Sequence, residues 1–154
     1  MLEKIYLIHH SHMDIGYTDL PLEVMDQHLE HLDRALDLCN QYDDFYWTIE
    51  SSYLVRDYMR NRPEECRKKL IEALRTGKIE LQAFETQPLT ELLSADELFK
   101  AVEYSVNLGK KHNFAVKSAM INDIGGYAGR MPTVLAKHGV KYLTAGVGGF
   151  QVHL

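Results

Sequence analysis

Apolar positions along this chain fall into two rhythms that alternate from one end to the other. Ile5-Tyr6-Leu7-Ile8 is an unbroken apolar run and reads as a short, fully buried strand. Beyond a loop, Met25, Leu29, Leu32, Leu36 and Cys39 recur at four-three-four-three spacing, which predicts a long amphipathic helix over 21–41 with Pro21 at its start. Asp44 to Glu50 is aromatic and β-branched and reads as a second strand. Two helices follow over about 51–61 and 63–75, with Pro63 at a first helical position and Gly77 closing the second.

The same alternation continues. Lys78 to Phe84 reads as a third strand, and Ser94 with Glu97 forms a capping box that opens a helix running to about Asn113. Lys117 to Asn122 reads as a fourth strand, followed by the loop Asp123-Ile124-Gly125-Gly126-Tyr127. A helix from Met131 to His138 then ends at Gly139, and Val140 to Thr144 reads as a fifth strand. Strands separated by helical crossovers imply an α/β fold with a mostly parallel sheet. Five strands are too few to close a barrel of about eight. Gly146, Gly148, Gly149 and a short tail are all that follow the fifth strand. The expected architecture is therefore an open sheet, or an incomplete (β/α) barrel whose exposed edge needs covering.

Composition narrows the function classes. The 154 residues fit one domain, and 45% of them are hydrophobic, enough for a real core. A net charge of −5 offers no broad cationic surface, so neither a nucleic-acid nor a membrane partner is expected. Cys39 and Cys66 lie in helical patterns without CxxC spacing, and no apolar run has the length of a signal-peptide core or a membrane span. A cytoplasmic, reducing setting is the expectation. Phosphate-binding Walker loops, GxSxG elbows and helical HExxH pairs are absent from the sequence.

The chemistry-bearing residues gather at predicted strand exits, where α/β folds place their ligand sites. His9-His10-Ser11-His12-Met13-Asp14 follows the first strand, and His12 and Asp14, two apart, project to one side of extended backbone. An imidazole nitrogen and a carboxylate converging there can make half of a zinc-type site, although such histidines could equally cap backbone groups or pair with carboxylates. Asp123 occupies the exit of the fourth strand, with Gly125 and Gly126 behind it allowing close backbone approach to a ligand. Taken alone, Asp123 reads equally as a capping or Asx-turn aspartate. Glu50 marks the exit of the second strand and could cap the helix after it. His28 and His31 share one side of the first helix but read as part of a solvated face, and Lys68-Lys69 and Lys110-Lys111-His112 as helix-surface or helix-end cations.

Together these segments resemble a known family. His10-Ser11-His12-Met13-Asp14-Ile15-Gly16-Tyr17-Thr18 resembles the N-terminal motif of glycoside hydrolase family 38, the α-mannosidases. Asp123-Ile124-Gly125-Gly126-Tyr127 with Met131-Pro132 resembles that family's nucleophile segment. Trp47-Thr48-Ile49-Glu50-Ser51-Ser52-Tyr53 and Gly77-Lys78-Ile79-Glu80 are similar to further family stretches, in the same order.

The resemblance covers nearly the whole chain but only the front of such an enzyme, so residues 1–154 are expected to form the N-terminal portion of its catalytic domain. It implies a parallel-stranded, incomplete barrel of the glycoside hydrolase/deacetylase type. It also implies a zinc site, or a site for another divalent transition metal, with His12, Asp14 and Asp123 as ligands and a fourth, histidine ligand beyond Leu154. Asp123 would also be the nucleophile of a retaining mechanism. Tyr17, Glu50 and Tyr127 would contact the carbohydrate substrate, and the general acid/base would lie beyond the chain's end.

Two departures stand out. Ala83-Phe84-Glu85-Thr86-Gln87-Pro88 occupies the place of a stretch rich in glycine and tryptophan, and Tyr17 stands where many members carry tryptophan. The alternatives are a metal-dependent deacetylase-like hydrolase, or a non-catalytic module whose sheet edge is covered by a second copy or by a missing C-terminal region.

Overall fold

The computed structural model describes residues 3–12 and 14–146; Gly148, Gly149 and His153 lie outside the described residues. The chain is α/β, with helices linking short parallel strands. Helix α1 (Pro21–Gln41) leads to strand β1 (Trp47–Ile49), and α2 (Ser52–Asn61) with α3 (Glu64–Thr76) crosses to β2 (Ile79–Leu81). A 3-10 turn at Thr90–Leu92, α4 (Ala95–Lys100) and α5 (Glu103–His112) return to β3 (Ser118–Ile121), and α6 (Met131–Lys137) leads to β4 (Tyr142–Ala145). β1 pairs in parallel with β2, Thr48 opposite Glu80, and β3 pairs in parallel with β4, Met120 opposite Thr144. Between the pairs, the Ala83 N–H donates to the Ser118 carbonyl at 2.9 Å, just past the end of β2.

The long helix forms as its spacing predicts. Met25, Leu29, Leu32, Leu36 and Cys39 all lie on its buried face, and the last four pack with Val55, Tyr58, Leu70 and Ile79 into one core cluster around β1 and β2. A second cluster, with Phe84, Leu98, Val102, Ile121 and Met131, fills the space around β3, and Phe114 packs against both. Gly77 ends α3 in the left-handed region (φ 76°), which a residue without Cβ adopts without strain. The capping box at Ser94 and Glu97 is present in both directions, and the hydrogen bond from the Ser94 backbone N–H holds the Glu97 carboxyl below its usual range.

Three expectations are corrected. Ile5–Ile8 is not a buried strand: these side chains are 65–77% exposed, and pairing to β1 is reduced to one bridge, His10 with Thr48, beside a Thr48 N–H to His9 carbonyl bond of 2.8 Å. An apolar run signals burial only where something packs on it, and the described elements do not cover this one. Pro63 caps α3 rather than beginning it. The helix from Ser94 to Asn113 is two helices. Its break follows from a distant partner, because the Ala101 carbonyl accepts the Glu85 N–H at 2.8 Å from the loop after β2. Ser105 Oγ, at the same junction, donates to the Ala83 carbonyl at 2.5 Å. Backbone groups at the β2 exit thus find their partners by interrupting a helix.

Candidate functional site

The exits of β1, β2 and β3 carry the polar residues, and backbone hydrogen bonds lock them together. α2 starts without a side-chain cap; instead its Ser52 and Tyr53 N–H groups donate to the carbonyls of Phe84 and Glu85 at 3.1 and 2.9 Å. Ser51 Oγ donates to the same Glu85 carbonyl, and the Glu85 carboxylate pairs with Arg56, whose guanidinium lies 4.5 Å from the Tyr104 ring centroid. The stretch that departs from the family pattern is thereby built into the wall beside the site.

His12 is the centre of the arrangement. Its Nδ1 lies 2.9 Å from Glu50 Oε1 and 3.2 Å from Oε2, while its Nε2 lies 3.2 Å from Asp14 Oδ1. Burial of the ring disfavours its charged form. The hydrogen bond to Glu50 and the negative charges of Glu50, Asp14 and Asp123 outweigh that, so the His12 pKa is raised above its usual value. Glu50, read from the sequence as a pocket residue, has its side chain only 1% exposed, and Asn122 Nδ2 donates to its Oε1 at 3.0 Å.

Asp123 follows Asn122 and is exposed, with its backbone in the left-handed region (φ 60°), a conformation that Asp and Asn tolerate better than most residues. Its loop is fastened from below. The Asn122 N–H donates to Gln87 Oε1 at 3.0 Å; Thr90 Oγ1 donates to the Gly126 carbonyl at 3.1 Å and accepts the Ala128 N–H at 3.0 Å. Tyr127 donates its hydroxyl to the Gly146 carbonyl at 3.3 Å, and Tyr17 stands 89% exposed on the turn after Asp14.

Gln87, Thr90 and Asn122 carry no local signal in the sequence, because their roles depend on partners 35 to 72 residues away. His28, expected on a solvated face, is buried on α1. That signal was present in the sequence: His28 lies three residues after Met25 and four before Leu32, on the apolar stripe itself.

The donor chemistry fits a divalent metal in part. Two ligands of a tetrahedral zinc stand ~3.3 Å apart when each bond is ~2.0–2.1 Å, close to the 3.2 Å between His12 Nε2 and Asp14 Oδ1. A carboxylate on the far nitrogen of the ring, the place Glu50 takes, is the usual support of a metal-binding histidine. Among the described residues, no three His, Cys, Asp or Glu side chains stand close enough together to cage an ion as they are.

The family model for the Glycosyl hydrolases family 38 N-terminal domain matches residues 3–147. An alpha-mannosidase from Enterococcus faecalis V583 superposes with a TM-score of 0.79 at 20% identity, covering 90% of this chain and 16% of that one. A glycosyl hydrolase family 38 protein from Enterococcus faecalis gives 0.75 at 20% identity, covering 94% of this chain and 16% of that one. A 4-alpha-glucanotransferase from Thermococcus litoralis gives 0.65 at 14% identity, covering 88% and 21%. These likenesses are of fold. No curated protein matches the sequence. The chain thus spans 16% of the length of the solved family 38 structures it resembles.

Proposed function

The chain belongs to glycosyl hydrolase family 38 through that family's N-terminal domain, and from this premise we propose that it forms part of the catalytic site of a metal-dependent, retaining α-mannosidase. The short parallel strands form one stretch of its barrel wall. The reading is carried by one observation: His12 is fixed between Glu50 and Asp14 within the field of Asp123. His12, Asp14 and Asp123 would hold a zinc ion, or another divalent transition metal. Bound there, the metal would act as a Lewis acid toward neighbouring ring hydroxyls of the mannoside and favour distortion toward the oxocarbenium-like state.

From this chain's own residues, Asp123 would supply the nucleophile. A carboxylate oxygen of Asp123 bonds to the anomeric carbon as the glycosidic bond breaks, while the leaving oxygen takes a proton from a general acid. Water then releases the sugar from Asp123, giving its proton to the same group. The exposed ring of Tyr17 offers a stacking face for the sugar. Tyr127, its hydroxyl already committed to Gly146, contributes its ring.

Three measurements test the reading. One equivalent of zinc by elemental analysis, lost in His12→Ala, supports the metal site. A mechanism-based fluorosugar that labels Asp123 covalently, located by peptide mass spectrometry, supports the nucleophile; a metal-dependent deacetylase would give no such adduct. The 154 residues alone are expected to turn over an aryl α-mannoside weakly or not at all. Robust zinc-dependent turnover by this chain alone would overturn the view that it holds only part of the site.

A further inference from the structure

Glu50 reaches both arms of the site: His12 lies 38 residues before it in the chain and Asn122 lies 72 after it. We propose that Glu50 is a positioning residue whose buried carboxylate holds the one proton of the neutral His12 ring at Nδ1, leaving Nε2 as a lone pair turned toward Asp14, and ties the base of the Asp123 loop to the same group through Asn122.

Two carboxylates compete for one N–H. Ionised carboxylates only accept hydrogen bonds, and a neutral imidazole offers a single donor. Glu50 and Asp14 face opposite nitrogens of the ring at 2.9 and 3.2 Å. The Glu50 side chain is 1% exposed and that of Asp14 is 47% exposed. A buried charge stripped of a donor loses solvation it cannot recover, whereas an exposed one takes water instead. The proton therefore stays with Glu50. In the neutral ring, Nε2 and Asp14 Oδ1 are then two electron-pair donors 3.2 Å apart, a contact that either a second proton or a metal cation would relieve. The same carboxylate accepts Asn122 Nδ2 at 3.0 Å, one residue before Asp123 turns to φ 60°. One buried group thus touches both His12 and the residue that leads into the Asp123 loop.

The tautomer stands by itself; its consequence for metal affinity rests on the metal-site reading above. The test uses the chain labelled with 15N-histidine and free of metal, at alkaline pH where the ring is neutral, with His12→Gln to assign the signals. Long-range 1H–15N correlation is expected to place the His12 proton on Nδ1 in the wild type and in Asp14→Asn, and on Nε2 in Glu50→Leu. A proton on Nε2 in the wild type overturns the inference even if Glu50→Leu does not fold, and so does an unmoved proton in a folded Glu50→Leu. In a zinc competition assay, Glu50→Gln is expected to bind roughly 10–100-fold more weakly than the wild type; equal affinity counts against the positioning role. A wild type that takes up no zinc refutes the metal reading and leaves the tautomer result to decide for Glu50.

Discussion

His12 Nδ1 stands 2.9 Å from Glu50 Oε1, so a histidine from the N-terminal segment is tied to a buried acid at the end of β1. This contact secures a segment that otherwise meets β1 through one bridge. It also turns the other face of the ring outward, toward Asp14. What the sequence presents as a short acidic and histidine-rich run becomes an oriented group only because Glu50 lies beneath it.

Asp14 separates the ligand role from a structural one. It is exposed, so Asp14→Asn should change stability by no more than about 0.5 kcal/mol. As a proposed ligand, its loss should lower zinc affinity at least as much as the roughly 10–100-fold produced by losing an outer partner. Chemical denaturation and zinc titration on the same sample check both halves. Unchanged zinc affinity in a folded Asp14→Asn removes Asp14 from the ligand set.

Histidines of opposite sign shape the pH dependence. His28 is buried on α1, its Nδ1 finds no hydrogen-bond partner among the described residues, and the His31 ring meets it edge-on at 5.7 Å. Burial, then the charges of His31 and His12, depress its pKa against the opposing pull of Glu50 and Asp14. The unfolded chain then binds the proton first, so the stability carried by neutral His28 is present above about pH 6.5 and is lost as pH falls below it. His12, with its pKa raised, contributes in the opposite sense: its share is present at low pH and is lost as pH rises through its folded value. His28→Leu should therefore flatten the acid side of the stability profile, by at most about 1.4 kcal/mol per pH unit. Parallel slopes for variant and wild type between about pH 7.5 and 5 refute this.

The parts of the fold that could be read from the sequence are those whose cause is local. The α1 stripe, the Ser94–Glu97 box and the glycine after α3 each depend on residues within a few positions of one another. The errors share a different origin. Ile5–Ile8 fails as a buried strand because nothing among the described residues covers it, and the break between α4 and α5 is set by Glu85, well upstream. The site divides the same way. His12, Asp14 and Asp123 stand out as candidates by residue type at predicted strand exits, although the strand expected before His12 does not form. Glu50 could be recognised as a candidate but not as a support, because its partners are far away in sequence.

The α1–α2 contact is held by a polar latch. Tyr58, fully buried, donates its hydroxyl to Asp33 Oδ1 at 2.5 Å, and Arg62 Nε donates to Asp33 Oδ2 at 2.8 Å. Burial and the Asp33 carboxylate both push the Tyr58 hydroxyl's pKa well above its usual value, so it remains a donor. A hydrogen bond to a charged group is worth about 1.5–3 kcal/mol. The Asp33 side chain is 38% exposed and can take water in place of the phenol. Tyr58→Phe should therefore lower unfolding free energy by about 1.5 kcal/mol, the low end of that range. A loss near 3 kcal/mol in urea denaturation would mean that Asp33 cannot resolvate.

Gly126 connects the Asp123 loop to Glu91, and two different penalties meet there. Its φ of 85° is one that a side chain disfavours, and a Cβ at this position would stand 2.6 Å from Glu91 Oε2. The second penalty is soft, because Glu91 is exposed and the offending atom is the free end of a flexible side chain. The first is fixed by the backbone, since Thr90 Oγ1 holds the Gly126 carbonyl and the Ala128 N–H. Gly126→Ala should thus destabilise by about 1–2 kcal/mol, the cost of a left-handed conformation for a residue with a Cβ. Adding Glu91→Ala should restore less than about 0.5 kcal/mol of it. Full rescue by the second substitution would make the clash the cause and free the backbone from blame. A loop that instead relaxes to negative φ should carry Asp123 with it, which covalent fluorosugar labelling of Gly126→Ala would reveal as a slower rate at unchanged stability.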